Sequence, residues 1–207
     1  MKKILFILII FLSSCSPSDD NKSSDKTSNN SIEMSGEIKR ISVGNIDAKI
    51  VIIAYESLTC SHCADFHKDV YPQLKKKYLD TGLAKIEFRH FPLDVAALNA
   101  SKVSQCKSDQ SLEILESLYL NQQEWVKGNT AEEINNNLKK FIEKEGFKID
   151  FEKCINDKEI EDFVLNDRIE GVKKFKVNAT PTIIINDEKF EKTLNYKNLK
   201  KSLEKLI

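Results

Sequence analysis

The chain has 207 residues, enough for one domain with a sizeable hydrophobic core. Its 32 lysines and arginines equal its 32 aspartates and glutamates, and this zero formal charge disfavours a nucleic-acid-binding protein, which would carry a basic excess. The sequence contains no run of about 18 or more apolar residues, so it predicts no membrane-spanning helix.

Residues 1–15, MKKILFILIIFLSSC, have the layout of a lipoprotein-type signal peptide that ends at Cys15. Two lysines precede an apolar run over residues 4–12, and small residues precede the cysteine. We expect Cys15 to carry a lipid, to become the mature N-terminus and to hold the protein on a bacterial membrane without spanning it. Signal cleavage without lipidation is the alternative.

Residues 16–31 are almost entirely Ser, Asp, Asn, Lys and Thr, a composition that cannot bury enough apolar surface to offset the entropy of ordering. We therefore predict a flexible polar tether over residues 16–35 and a folded domain over residues 36–207. Export through the signal peptide would place this domain in an oxidising compartment, where disulfides form and persist.

The hydrophobic pattern of the folded part predicts the order β, β, α, β, a helical block, β, β, α. The run KIVIIAY is typical of a strand buried on both faces, and the helix after it should kink or break at Pro72. A helical block at about residues 93–175, with helix stops at Gly146 and Gly171, separates the strands and predicts an inserted subdomain. The predicted strands are residues 37–43, 49–55 and 84–91 with a hairpin at 182–190, and the later helices are residues 95–106, 111–120, 130–145, 157–173 and 196–206.

The motif CSHC places Cys60 and Cys63 at the start of the helix that follows the buried strand. Unpaired N–H groups and the helix dipole stabilise a thiolate there, and a protonated His62 would add positive charge, so we expect Cys60 to be the attackable sulfur. Cys63 lies one turn inward, shielded and within bonding reach. The spacing therefore indicates a redox-active disulfide.

A metal site is the alternative at this motif, because Cys60, Cys63 and His67 recur at i, i+3 and i+7 with His62 adjacent. His62, however, points to a different side of the helix. The chain also has no second C-x-x-C and lacks the methionine or histidine cluster more usual in a periplasmic copper carrier. We predict no metal, and a copper-binding or copper-delivery module remains the minor alternative.

A second motif, NATPT at residues 178–182, precedes the last predicted hairpin. A strand, CSHC and a helix, followed later by Thr-Pro, two strands and a helix, resemble the thioredoxin fold. The helical block matches the DsbA-like branch, the exported disulfide-forming oxidases, and the resemblance runs from about residue 38 to the C-terminus, including FRHFPLD at residues 88–94. It implies an α/β domain with a central mixed sheet flanked by helices and an inserted helical subdomain.

The resemblance implies that Cys60 is the nucleophile, Cys63 its buried partner and Pro181 a cis proline against the pair. Backbone groups of Thr180 would then pair with an extended substrate segment. We expect a periplasmic monomer without a cofactor that oxidises unfolded or reduced exported proteins and is reoxidised by a membrane quinone-linked partner of the DsbB type. An isomerase or reductase of the same fold is the alternative, although exported isomerases usually add an N-terminal dimerisation domain.

Three positions depart from the family pattern. Ser61 stands where the motif often has proline, so the family's redox potential does not transfer, and Ala179 stands where glycine is frequent. Ala54 occupies the position of a common buried acid, but Glu56 lies on the same strand face two residues later. Glu56 can therefore substitute as the proton acceptor for Cys63, and an exposed strand-end charge is the alternative.

Cys106 and Cys154 both lie in the helical block, and some DsbA-like proteins of this branch carry such a second pair. We predict a structural disulfide between them, with two unpaired core thiols as the alternative. His67 is predicted to pack inside, His90 to be a packed or surface residue, and Trp125 to belong to the core.

Overall fold

The computed structural model describes residues 38–106 and 109–207. The predicted signal peptide, its lipidation site Cys15 and the polar tether lie outside these residues. Across the two described ranges, no helix combines the length and the apolar character needed to cross a membrane.

A five-stranded mixed sheet forms the centre of the described structure, with strands in the order β1-β3-β2-β4-β5. Strand β2 pairs in parallel with β3 and antiparallel with β4, so it has a neighbour along each edge, and its faces are covered as its β-branched run predicts. Strand β1 pairs antiparallel with β3, and β5 with β4. The strands are β1 Ser42–Gly44, β2 Ile50–Glu56, β3 Ala84–His90, β4 Thr182–Ile185 and β5 Glu188–Lys189.

The helical segment after β2 is irregular in the way that Pro72 requires. Proline has no N–H to donate, and here it falls in the first turn of α2, immediately after a π-helical turn. The chain therefore stays helical through the proline, and a second π-helical turn follows. The segment comprises α1 Ser61–Asp65, a π turn at Phe66–Val70, α2 Tyr71–Leu74 and a π turn at Lys75–Leu79.

The helical insertion lies between β3 and β4, as the hydrophobic pattern predicts. Several of its helices begin at side-chain caps: Asp94 accepts from the N–H of Ala97 at 2.7 Å, and Thr130 from the N–H of Glu133 at 3.2 Å. The sequence pattern did not predict two short helices, α5 at Gln122–Trp125 and α7 at Phe151–Asn156. The insertion comprises α3 Val95–Ser104, α4 Ser111–Leu120, α5 Gln122–Trp125, α6 Ala131–Glu145, α7 Phe151–Asn156 and α8 Lys158–Phe175, and α9 Tyr196–Leu203 follows the last strand.

Of the two predicted helix stops, one is correct and one is wrong. Gly146 ends α6 in the left-handed conformation, with φ of 77°. Gly171 instead lies inside α8, which continues to Phe175 and has Lys176 as its C-cap. A β-carbon at Gly171 would come within 2.8 Å of the buried ring of Tyr55, so glycine at this position allows α8 to lie close against β2.

An ion-pair cluster around the buried Asp167 joins the insertion to the sheet. Asp167 of α8 is 1% exposed, forms an ion pair with Arg40 and accepts the backbone N–H of His90 at 3.2 Å. Arg89 of β3 donates to Glu170 of α8 at 2.9 Å. The side chain of His90 is packed inside, where burial and then the charge of Arg40 lower its pKa to about 3, so it stays neutral.

Cys106 and Cys154 are joined through their sulfur atoms, with their Cα atoms 5.3 Å apart. Cys106 follows α3 and Cys154 lies in α7, so the bond links two helices of the insertion. Both residues are buried, as is Trp125 in α5.

Candidate active site

The structure places Cys60 at the N-cap of α1, four residues after the end of β2. Its backbone is extended, with φ of −81° and ψ of 117°, and its carbonyl accepts the N–H groups of Cys63 at 3.1 Å and Ala64 at 3.2 Å. The Cys60 side chain is partly exposed, whereas that of Cys63 is fully buried. One sulfur can therefore meet a substrate, and the other faces the core.

Hydrogen bonds to the sulfur lower the pKa of Cys60 to about 5. The thiol of Cys63 contributes most, and Thr180 and the backbone N–H groups of Cys63 and His62 add to it, while burial acts in the opposite direction. At neutral pH these donors keep Cys60 as a thiolate.

His62 acts on Cys60 through its backbone and not through its ring. The imidazole is 82% exposed, and its Nδ1 lies 3.6 Å from Asp65 Oδ2. Its backbone N–H contributes to the lowered pKa of Cys60, and its ring is not among the causes of that shift. The expectation that a protonated His62 ring stabilises the thiolate is therefore replaced by a main-chain contribution, which does not depend on the protonation of the ring.

Cys63 has the opposite electrostatic environment. Burial raises the pKa of the Cys63 thiol strongly, and its hydrogen bond to Cys60 and the charge of Glu56 raise it further. The two cysteines of the motif are therefore unequal: Cys60 is an accessible thiolate and Cys63 a shielded thiol.

Thr180 and Pro181 lie directly beside Cys60, on the loop that leads into β4. The peptide bond between them is cis, and the carbonyl oxygen of Thr180 lies 3.4 Å from Cys60 Sγ, where it accepts a hydrogen bond when Cys60 is a protonated thiol. A groove of about 410 Å³ opens at this point. Its lining includes His62, Phe66, Val70, Thr180, Pro181 and Leu194.

Glu56 is buried at the end of β2, with 3% of its surface exposed, so the alternative of an exposed strand-end charge is wrong. Its Oε2 is hydrogen-bonded to Nε2 of His67 at 2.9 Å, and Oε1 has no hydrogen-bond partner among the described residues. Burial raises the pKa of Glu56. Since the charge of Glu56 also raises the pKa of Cys63, this carboxyl and the inner thiol are electrostatically coupled.

His67 is packed inside as predicted, and its ring stacks on Tyr119 with the centroids 4.1 Å apart. The sequence analysis missed its pairing with Glu56. The spacing of His67 from Cys60 already placed it on the same helix face as the cysteines, which is the signal that could have found it. Among the described residues, no group of three or more His, Cys, Asp or Glu side chains is arranged to hold a metal ion.

The insertion contributes polar contacts to the active-site loop that the sequence analysis also missed. The amide nitrogen of Gln122 donates to the carbonyl oxygens of Leu58 at 2.8 Å and Cys60 at 3.1 Å. On another side of the loop, the hydroxyl of Thr59 donates to Asp94 at 2.7 Å. No local pattern in the sequence indicates a role for Gln122.

The thioredoxin family model matches residues 37–205 of the chain. The crystal structure of Wolbachia pipientis alpha-DsbA1 superposes with a TM-score of 0.72 at 32% sequence identity, over 81% of this chain and 90% of that one. The chain is a DsbA-like member of the thioredoxin superfamily. The predicted thioredoxin fold with an inserted helical subdomain is thereby confirmed.

Two further relatives agree with this DsbA-like assignment. A Rickettsia bellii protein, named provisionally as a protein-disulfide oxidoreductase, is 32% identical over 148 residues, which cover 70% of this chain and 56% of the relative. Disulfide bond formation protein D of Bacillus subtilis is 27% identical over 180 residues, 79% of this chain and 75% of that protein. The DsbA-like chain thus spans little more than half the length of the Rickettsia relative.

The lowered pKa of Cys60 predicts the pH dependence of its alkylation. In the reduced protein, the rate of reaction with iodoacetamide should reach half its plateau near pH 5, the pKa of Cys60, because the thiolate is the nucleophile. The stability that the thiolate gives the reduced protein should be complete above about pH 8.5, the ordinary thiol pKa, and should be lost as the pH falls through the folded value. A Cys60→Ser variant serves as the control and should lose this alkylation step. A midpoint near pH 8.5 in the unaltered protein would contradict the hydrogen-bonded thiolate.

Proposed function

We propose that the protein is an exported thiol:disulfide oxidoreductase that introduces disulfide bonds into exported proteins by exchange at Cys60 and Cys63. The inequality of the two sulfurs carries this proposal. Cys60 is reachable and hydrogen-bonded as a thiolate, whereas Cys63 is buried with a raised pKa. Thiol–disulfide exchange needs one attackable sulfur and one protected sulfur that closes the disulfide.

The direction of the reaction follows from the Cys60 thiolate. Donors that stabilise this thiolate act only on the reduced protein, because in the disulfide the sulfur carries no charge. They therefore favour reduction of the enzyme, and its disulfide is an oxidant of other thiols. A thiol of low pKa is also a good leaving group, so Cys60 departs readily when a second substrate thiolate attacks the substrate sulfur bonded to it.

The reaction takes two exchange steps. A substrate thiolate attacks Sγ of Cys60 in the Cys60–Cys63 disulfide, a mixed disulfide forms, and Cys63 leaves as a thiolate that takes up a proton. A second substrate thiolate then attacks the substrate sulfur of the mixed disulfide, and Cys60 leaves as a thiolate. The substrate loses two electrons and gains a disulfide, and the enzyme is left as a dithiol.

The groove at Thr180 and Pro181 would hold the substrate. It opens beside the accessible sulfur and is lined by apolar side chains such as Phe66, Val70 and Leu194. An extended segment of an unfolded protein can lie there and pair with the backbone of Thr180, which is strand addition as a mode of recognition. Because such pairing uses main-chain groups, it would accept substrates of diverse sequence.

Glu56 is proposed as the proton acceptor for Cys63. Reoxidation of the enzyme requires the buried Cys63 thiol to lose its proton, and solvent does not reach this sulfur. Glu56 is buried and electrostatically coupled to Cys63, and its Oε1 has no competing hydrogen bond among the described residues. When the enzyme is reduced by substrate, the same carboxyl would return the proton to Cys63.

The cellular setting is proposed from the signal-like residues 1–15 and from the cysteine chemistry. Disulfides such as Cys106–Cys154 persist in oxidising compartments, which agrees with export to the periplasm. We place the protein there as a monomer held on a membrane through a lipid on Cys15. Reduced exported proteins would be its substrates, and a membrane quinone-linked partner of the DsbB type would regenerate its disulfide.

A trapped mixed disulfide tests the proposed function. The reduced Cys63→Ser variant, mixed with a disulfide-containing peptide, should form a one-to-one adduct through Cys60 that mass spectrometry detects, because no inner thiol remains to release it. The Cys60→Ser variant should form none. In the oxidised unaltered protein, a reduced two-cysteine peptide should be converted to its disulfide, and either substitution should bring that rate to the uncatalysed one.

The second cysteine pair supplies the matched control for that experiment. A protein with both Cys106→Ser and Cys154→Ser should oxidise the peptide as the unaltered protein does, provided that it is assayed below its melting temperature. Loss of activity in the folded double variant, or an adduct at Cys63 in place of Cys60, would overturn the assignment of the reacting sulfur.

Removal of the Glu56 carboxyl should slow closure of the enzyme's own disulfide. With Glu56→Gln, the step from the Cys60–glutathione mixed disulfide to the Cys60–Cys63 disulfide should slow by about tenfold or more, as expected for loss of a general base. Rapid-quench sampling with mass spectrometry measures this step. The exposed Glu113→Gln on α4 is the control, and an unchanged rate in Glu56→Gln would remove Glu56 from the mechanism.

A further inference from the structure

The four-residue loop between β2 and α1 is held by the helical insertion on two sides. We call residues 57–60 the redox loop. On one side, Thr59 donates to Asp94 at 2.7 Å, and the N–H of Leu93 donates to the hydroxyl of Ser57 at 3.3 Å. On the other side, the amide of Gln122 contacts the carbonyl oxygens of Leu58 and Cys60. The insertion is thus bonded directly to the segment that presents the reactive sulfur.

The contact of Gln122 is chemically specific. Both partners are carbonyl oxygens, which only accept hydrogen bonds, so only the amide nitrogen of Gln122 can face them. This nitrogen has two hydrogens, and the two bonds of 2.8 and 3.1 Å use both. Gln122 is itself held in place at the start of α5 and is partly buried. A side chain of the same size without these donors could not make the contact.

The carbonyl oxygen of Cys60 also accepts the backbone hydrogen bonds that form the first turn of α1. It accepts the N–H groups of Cys63 and Ala64, which close that turn. The backbone N–H groups of His62 and Cys63 in the same turn contribute to the lowered pKa of Cys60. The position of this carbonyl therefore affects where the first turn of α1 lies relative to the sulfur.

We propose that Gln122 is a positioning residue for Cys60: it holds the redox loop and, through the Cys60 carbonyl, the placement of the first turn of α1 beside the sulfur. The inference rests on the proposed function and assigns to the insertion a part in tuning the reactivity of the site. Gln122 touches neither the sulfur nor the substrate groove. Its effect is transmitted through the carbonyls of Leu58 and Cys60.

Two substitutions separate positioning from simple support of the fold. Gln122→Met keeps the approximate volume and removes both donors, and Gln122→Glu keeps the shape but puts carboxylate oxygens against the two carbonyls. The adjacent, exposed Gln123 supplies the controls, with Gln123→Met matched for volume and Gln123→Glu matched for charge. The ultraviolet absorbance of the thiolate, followed against pH, reports the pKa of Cys60, and circular dichroism reports the fold and melting temperature.

We expect Gln122→Met to raise the pKa of Cys60 by about one unit, which is tenfold in the proton dissociation constant, and Gln122→Glu to raise it further. Both Gln123 variants should leave the pKa unchanged. The disulfide of each Gln122 variant should also oxidise glutathione less completely, in the same order. If Gln122→Met does not give a native spectrum, the Gln122→Glu variant measured against Gln123→Glu decides the question.

An unchanged pKa in Gln122 variants with a lower melting temperature would overturn the proposal and leave Gln122 as a structural contact. An equal rise in Gln123→Glu would also overturn it, because the effect would then come from charge alone. Failure of the proposed function can be told apart from failure of this proposal. An unaltered protein that does not oxidise the two-cysteine peptide would still give a Cys60 titration with which the Gln122 variants can be compared.

Discussion

The hydrogen bonds that reach the sulfur of Cys60 are the interaction on which the rest of the site depends. Cys60 lies at the N-cap of α1, where the helix dipole favours a negative charge, and the thiol of Cys63 lowers its pKa most. These interactions stabilise a thiolate and not a disulfide sulfur, so they favour the reduced protein. Under the proposed function, the Cys60–Cys63 disulfide is for this reason an oxidant of other thiols.

Cys63, the buried cysteine of the motif, lies where a thiolate is disfavoured. Cys63 faces a packed core in which a charge is poorly solvated, and the proton that it must exchange needs a carrier within that core. The buried pair of Glu56 and His67 is the titratable group that the described structure places there. Burial of a carboxyl is tolerated when it is hydrogen-bonded to a partner, and His67 provides that bond while its ring packs on Tyr119.

The features that could be predicted from the sequence are those with a local signature. A β-branched run indicates a strand covered on both faces, and C-x-x-C after such a strand indicates a helix start with an exposed first cysteine. The helical spacing placed His67 on the face of the cysteines, but its pairing with Glu56 could not be read from that spacing alone, because burial at a strand end depends on which helix covers it. Gly171 was wrongly predicted as a helix stop for a related reason. The sequence does not distinguish a glycine that ends a helix from one that leaves room for a packed aromatic ring, here that of Tyr55.

Long-range polar contacts were the least predictable. Gln122 lies 64 residues from Leu58 and 62 from Cys60 along the chain, and nothing around Gln122 indicates that its amide would meet those carbonyls. Only the way in which the insertion folds back over the redox loop brings them together. The reactivity of a motif that is local in sequence therefore depends on a part of the chain that is remote in sequence.

The equilibrium of the Cys60–Cys63 pair with glutathione tests the central claim most directly. The protein is incubated in buffers of graded reduced and oxidised glutathione, quenched with acid and alkylated, and the fraction of disulfide is read by mass spectrometry. A thiolate stabilised only in the reduced state predicts a potential less negative than roughly −200 mV, on the oxidising side of glutathione. A value near roughly −270 mV, that of a reductant such as thioredoxin, would contradict the account.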